Sequence, residues 1–506
     1  MEVLQQAAES IRTESASVRA GTNGSVLARI VASAFAMMIA PYLGIRAMAA
    51  IVDPDIWWHI RTGDWIVQHR AVPHFAIFSQ YSDRAWVAYS WIFEVAMSAV
   101  HHLAGLPALP AALICIQVLV SAVLLMTIER VGPNFWVSWC IAVATIYAIY
   151  GIPLRPMALT FVFFALELYF ILEADRTVND RLLLWIAPLF ALWANTHIQF
   201  VYGLFILALY VATRLIAVGA PKWFGSSPVR AFPSLPMLAL FLAVLAACIG
   251  PYGFAPYRVA LDLAVHPVQN QGVIEMAAMD FRRPEHYVRV LLLIAAAFAL
   301  GRSRRRELFR PLLLGATAVV SFHFTRDAWF VCTAAALVLA ESLRVESKRE
   351  DGRDSGGQNK IRYGLGAALA LVASFAIASR HGLMDSRNLM ANMDRVYPIR
   401  ATEFIRDAGL KGPMYNSFNW GGFLIFNLPS QPVSVDPRVN IYGDALIQRS
   451  FNTANGVDWR TDPVLDRANF MLLEHWAPLA ASLASDPRYR LAYEDQLSAV
   501  FVRDLR

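Results

Sequence analysis

Charge is what this sequence has least of. Charged residues make up 16% of the 506-residue chain, against roughly 25% in a soluble globular protein. The apolar share is 57% and the mean hydropathy +0.45, which excludes an ordinary soluble domain. Cysteine is scarce too: Cys115, Cys140, Cys248 and Cys332 all lie inside apolar runs and none has CxxC spacing. Neither a disulfide framework nor a cysteine zinc site is indicated. A Gly-rich phosphate loop and a dinucleotide-binding fingerprint are both missing, which argues against a nucleotide-sugar donor bound in the cytoplasm. HEXXH is absent, and so is a GxSxG nucleophile motif. The net charge of +6 sits in short loops between apolar runs, so it does not point to nucleic acid. There is no internal repeat. Residues 1–27 are polar with no short cleavable signal, so the first apolar run reads as a retained anchor.

What the chain does have is long apolar runs. Stretches near 28–50, 108–128, 134–150, 157–172, 182–195, 199–215, 235–250, 288–301, 311–324, 328–343 and 363–379 approach or reach the length that crosses ~30 Å of hydrocarbon. The fold expected is a polytopic α-helical membrane protein of about 11 spans. Arg12, Arg19 and Arg29, the Arg302–Arg310 loop and the stretch Arg344–Arg362 should be cytoplasmic by the positive-inside rule. Residues 86–104 look almost long enough to span, but counting them would turn the Arg302–Arg310 loop outward. With Glu94, His101 and His102 they suit a helix lying on the outer surface.

The expected organisation is therefore a cytoplasmic segment 1–27 and a membrane domain 28–379, with a first outer loop 52–107. An extracytoplasmic domain follows at 380–506. There the apolar runs shorten to strand length, as in FLIFNL and PVSV, between the turn signals LKGP, NWGG, DPR and YGD. A small α/β domain is expected, with an amphipathic helix at 398–409. The stretch ESKREDGRDSGGQNK, 346–360, has the composition of a disordered loop.

The stretch Val52–Arg70, VDPDIWWHIRTGDWIVQHR, concentrates the chemistry. Pro54 suits the first turn of a helix, and Asp53 is a good cap before it. In a helix Asp55, His59 and Arg61 or Thr62 fall toward one side, while Trp58, Trp65 and Ile66 can lie in the bilayer interface. Carboxylates held there are a site or a solvated face. The plainer alternative is that Trp57, Trp58 and Trp65 are an aromatic belt.

A first span, a long loop with an acidic pair, many further spans and a terminal domain together resemble the GT-C superfamily of polyprenyl-phosphate-sugar glycosyltransferases. The chain is more closely similar to a bacterial group of uncharacterised GT-C-like membrane proteins. The residues that carry this are DPDIWWHIRTGDWI (53–66), RPMALTF (155–161), LWANTHIQFVYG (192–203), PYG (251–253), YNSFNWGGFLIFNLP (415–429) and DPRVNIYGD (436–444). Where that group often has His-Glu-Trp, this chain has Tyr89–Ser90–Trp91.

The resemblance implies a bacterial inner-membrane enzyme. It would move a sugar from a polyprenyl-phosphate donor to a glycan, lipid or protein acceptor outside the cytoplasm. Such a transfer needs a carboxylate to take the acceptor proton and cations to offset charge on the departing phosphate. Asp55 is the preferred base, with Asp53 second or as a metal partner. Mg2+ or Mn2+ on Asp53 and Asp55 is the one cofactor admitted. His59, four residues after Asp55, either meets it on one helical face or hydrogen-bonds an interfacial neighbour. Arg61 is grouped with it as a substrate-binding candidate. Arg155, Arg258 and Arg326 are candidates for phosphate, and each alone also reads as a lipid-headgroup anchor. Asn195 and His197 would bind a sugar hydroxyl or satisfy a helix end. Asp436 and Arg438 would bind acceptor or form a salt bridge within a turn. Two alternatives stay open: a transporter or flippase of lipid-linked glycans, and a non-catalytic assembly protein.

Overall fold

The computed structural model describes residues 25–48, 53–149, 151–219, 232–265, 277–302, 307–344 and 356–504. Most of segment 1–27, Arg304–Arg306 of the basic loop, and most of 346–360 lie outside the described residues.

The apolar runs are helices. Among the described residues six are long and apolar enough to cross a membrane: Ser25–Arg46, Ala108–Val131, Met157–Thr177, Phe200–Gly219, Pro284–Arg302 and Asn359–Arg380. The other runs are shorter helices, Phe135–Ala148, Ile186–Ala194 behind a 3-10 turn, Ser234–Ala246, Phe309–His323 and Ala328–Arg344. The chain is a multi-pass membrane protein, and one apolar core runs through its bundle.

Alternate loops meet at the same end of that bundle. Arg155, after Phe135–Ala148, reaches Asp53, and Asn195, after Ile186–Ala194, bonds Trp91. Tyr252, after Ser234–Ala246, bonds the Pro73 carbonyl, and Arg326, after Phe309–His323, acts on Asp55. The opposite end is tied by other pairs. Arg362 bonds Glu129 at 2.7 Å, Arg214 bonds Asp180 at 3.1 Å, and Arg310 bonds Glu341. The stretch 86–104 forms the 14-residue helix Trp91–Ala104, which packs along Asp55–His69. Gly63 makes the crossing close: a Cβ there would lie 2.1 Å from the Glu94 carbonyl oxygen.

The C-terminal part carries a four-stranded sheet of β1 (Met414–Asn416), β2 (Phe470–Glu474), β3 (Tyr489–Glu494) and β4 (Ser498–Arg503), in the order β1-β2-β4-β3. β1 and β2 are parallel, while β4 runs antiparallel to both β2 and β3. The period-2 alternation of β2 splits it between two cores. Phe470 and Leu472 join the core of the bundle, while Met471 and Leu473 pack under Leu479 and Leu483 on the other face.

Two of the runs read as strands are not strands. FLIFNL lies largely in the helix Gly421–Asn427, and PVSV contributes one bridge, Val433 with Ser79 of the first loop. Short apolar runs do not distinguish a strand from a buried helix. The amphipathic helix is found at Ile399–Asp407.

Candidate functional site

The helix Asp55–His69 starts where its sequence says it should. Pro54 has φ −69°, and the Asp53 carboxylate accepts the Asp55 amide hydrogen at 3.0 Å. It ends at Arg70 in the left-handed conformation. Its buried face holds Ile56, Trp57, Ile60 and Gly63. Trp57 is fully buried and packs edge-on against Tyr397 and Phe423, with Phe426 beside it. It is therefore not part of an aromatic belt: it is the anchor on which the C-terminal domain sits. Gly421–Gly422, read as a turn, are what permit that seat. A Cβ on Gly422 would lie 2.3 Å from the Pro54 carbonyl oxygen, and one on Gly421 would lie 2.4 Å from that of Val435.

The acidic pair faces arginine. Arg155 Nε donates to Asp53 Oδ2 at 2.6 Å and lies 3.3 Å from Asp55 Oδ2. With Oδ1 capping the helix, Asp53 has both oxygens committed. Asp55 Oδ1 accepts the Trp58 indole hydrogen at 3.2 Å. Burial pushes the Asp55 carboxyl up, Arg155 opposes this, and the charge of Asp53 adds to it. A raised carboxylate between a cation and a second carboxylate suits proton transfer.

A second arginine, Arg326, acts on Asp55 as well. Asp327 is buried and already holds Gln199 Nε2 at 2.6 Å and the Tyr202 hydroxyl at 2.8 Å. Its contact with Arg326 Nε is 3.9 Å, and that nitrogen is buried without a hydrogen bond. Arg326 acts electrostatically on Asp55, Tyr89 and His197. A guanidinium held this loosely among buried groups is suited to an incoming anion.

His59 does not meet Asp55. Its Nδ1 lies 3.3 Å from Glu94 Oε1 on the neighbouring helix, and both groups are buried. Burial raises the Glu94 carboxyl to about 8 and holds His59 well below its usual value. At neutral pH this is an uncharged pair sharing one proton, and the interfacial-neighbour alternative for His59 is the one seen. His197 is also neutral: burial, with Arg326, takes it down to about 3, and its Nδ1 lies 2.9 Å from the Thr160 hydroxyl.

Three sequence candidates are not brought to the carboxylates as binding groups. Asn195 Oδ1 accepts from Trp91 Nε1 at 2.8 Å, and its Nδ2 donates to the carbonyls of Ala191 and Ile249 at 2.8 and 2.6 Å. It fastens two helix ends to the first loop, and both of its amide hydrogens are taken. Arg61 Nε is buried without a hydrogen bond. Arg258 is exposed on the helix Ala255–Val265.

Asp436 and Arg438 form the salt bridge within the turn. Nε and Nη2 of Arg438 meet the two carboxylate oxygens at 2.8 and 2.7 Å. The guanidinium lies 4.5 Å from the Trp86 ring centroid and over Trp58 and Phe78, so the turn locks the C-terminal domain onto the first loop. Glu94 and Tyr89 are not among the site residues expected from the sequence. Tyr89, where the resembling group often has histidine, is raised by burial to about 12 and lies within the influence of Arg326, Glu94 and Asp55.

The donor set does not fit a divalent ion. Arg155 stands against both carboxylates, where such an ion would sit. Among the described residues no group of three His, Cys, Asp or Glu is placed to hold one.

No family model and no curated protein matches the chain. Among solved structures it is similar to the Archaeoglobus fulgidus oligosaccharyltransferase, in complex with zinc and sulfate, at 13% identity and a TM-score of 0.46, over 94% of this chain and 73% of that one. It is also similar to ArnT from Cupriavidus metallidurans bound to undecaprenyl phosphate, at 12% identity and a TM-score of 0.44, over 94% and 98% of the two chains. Similarity this distant assigns neither activity nor site residues.

Proposed function

We propose that the chain is a GT-C-type glycosyltransferase of the bacterial inner membrane. Its N-terminus lies in the cytoplasm and its carboxylate site and C-terminal domain lie outside. It moves a sugar from a polyprenyl-phosphate donor to an acceptor hydroxyl. The observation that carries this reading is the half-buried Asp55 carboxylate, 3.3 Å from Arg155 and under the electrostatic influence of Arg326, whose Nε has no hydrogen bond.

In the reaction, Asp55 takes the proton of the acceptor hydroxyl as that oxygen bonds the sugar's anomeric carbon from the face opposite the phosphate. The bond from that carbon to the phosphate oxygen breaks, and the phosphate leaves with one more negative charge. Arg326 offsets that charge. Asp53 holds Arg155 and the helix start, so it positions Asp55. The proton on Asp55 passes to solvent and restores the carboxylate. The neutral Glu94–His59 pair lines the site without adding charge. No step is assigned to a metal.

The reading is tested by incubating the purified full chain in lipid nanodiscs with a panel of polyprenyl-phosphate sugars and an extract of the organism's envelope glycans and lipids. Release of polyprenyl phosphate that depends on the extract is the expected result. Uptake of intact lipid-linked sugar across a vesicle wall, without release, would favour the flippase reading instead.

A further inference from the structure

A cavity of about 330 Å³ opens where the C-terminal domain meets the acidic loop. Its wall includes Pro54, the residue between Asp53 and Asp55, and from the C-terminal domain Asn419, Trp420, Glu474 and Trp476. None of the four domain residues enters the chemistry above.

Two of them are without occupation in the fold. Trp476 is 65% exposed, and its ring stacks on no other among the described residues. An exposed indole of this size, at the end of a strand, carries apolar surface that folding does not use. Asn419 is exposed, and its amide makes no side-chain hydrogen bond among the described residues. Glu474 is half-buried at the end of β2 and accepts the Ser417 hydroxyl through Oε2, which fixes its carboxylate at the cavity wall. Trp420 is nearly buried and donates to the Val396 carbonyl at 3.2 Å, so it forms a rigid floor.

An indole face, a fixed carboxylate and a free amide around one small cavity suit a ring with an apolar C–H face and a rim of hydroxyls. The volume is at the lower end of the range for small-molecule sites, which fits one sugar ring better than a lipid tail. From these residues we infer that the cavity is a carbohydrate subsite. The ring stacks on Trp476, and its hydroxyls bond Glu474 and Asn419. Taken with the proposed function, on which this part rests, the sugar bound there is the terminal residue of a glycan acceptor. Its free hydroxyl enters past Pro54 toward Asp55. The acceptor class is then glycan, as opposed to protein or simple lipid.

The test uses the full chain in nanodiscs free of glycolipid and prepared without glycoside detergent, whose headgroup would compete. Saturation-transfer NMR is run with the methyl glycosides of glucose, galactose, mannose and N-acetylglucosamine and with cellobiose. At least one is expected to bind. Trp476→Ala and Glu474→Gln should each weaken that binding about tenfold, a step in affinity of ordinary size for one lost anchor. Trp476 is exposed and Glu474→Gln keeps the side chain's size, so both variants should fold; an unchanged thermal midpoint checks this. Absence of binding by every probe, or binding that survives both substitutions, overturns the subsite. The two readings fail separately: binding without any transfer activity would sink the glycosyltransferase reading and leave the subsite standing. Transfer without sugar binding would do the reverse.

Discussion

Arg155→Met removes the one cation that touches both carboxylates. In the wild type the guanidinium is 2.6 Å from Asp53 and 3.3 Å from Asp55. A unit pair at 3.3 Å is worth about 5 kcal/mol at an effective dielectric near 20. Charge spread over the guanidinium and residual water reduce this to roughly 2–3 kcal/mol for Asp55, which corresponds to a rise of about 2 pK units. Burial has already raised Asp55, and losing Arg155 should raise it further. If Asp55 must be ionised to accept the acceptor proton, the acid limb of the transfer rate moves about 2 pH units toward alkali. The assay is sugar transfer from the accepted polyprenyl-phosphate donor between pH 5 and 10, with folded protein quantified by thermal unfolding. Stability near neutral pH should fall by about 3 kcal/mol as well. A variant that keeps both the rate and the position of the acid limb would refute the electrostatic account of this site.

Glu94→Gln should flatten the dependence of stability on alkali. The wild-type folded state holds a proton on Glu94 up to about pH 8. The unfolded chain loses it near its ordinary value of 4.5, so stability falls as pH rises through that window; thermal midpoints at pH 5 and 9 measure it. Gly422→Ala forces a methyl group against the Pro54 carbonyl, 2.3 Å away, and should cost about 1–3 kcal/mol and open the junction to limited proteolysis between the two parts. In a cysteine-free background, Lys411→Cys should react with an impermeant thiol reagent added to intact cells, while Val178→Cys, exposed at the opposite end of the bundle, should not. The reverse pattern would put the carboxylates in the cytoplasm.

The parts legible in the sequence were those set by local rules. The helix start at Asp53–Pro54, the apolar run lengths and the carboxylate pair follow from neighbours in the chain. The reading of 86–104 as non-spanning rests on counting charges; the structure shows there a helix, Trp91–Ala104, packed along Asp55–His69. The partners of the site residues were not legible, because they come from far along the chain. His59 pairs with Glu94, 35 residues on, and Arg438 reaches Trp86 only because the terminal domain folds back. Asn195 looked free for a ligand until Trp91, Ala191 and Ile249 took its three bonds. Trp57 could have been placed: with Ile56, Ile60 and Gly63 it forms one apolar face at helical spacing, a signal hidden by the neighbouring tryptophan. The run FLIFNL gave no such signal, being too short to show a period.

The most direct test of the account is the transfer rate of Asp55→Asn, compared with wild type at equal amounts of folded protein. The substitution keeps the side chain's size and its bond from Trp58, but the amide cannot take up the acceptor's proton. The account predicts a fall of roughly 100-fold or more, with binding of the polyprenyl-phosphate donor little changed. Asp53→Asn should weaken the hold on Arg155 and reduce the rate by less. A wild-type rate in Asp55→Asn would contradict the assignment of Asp55 as the base.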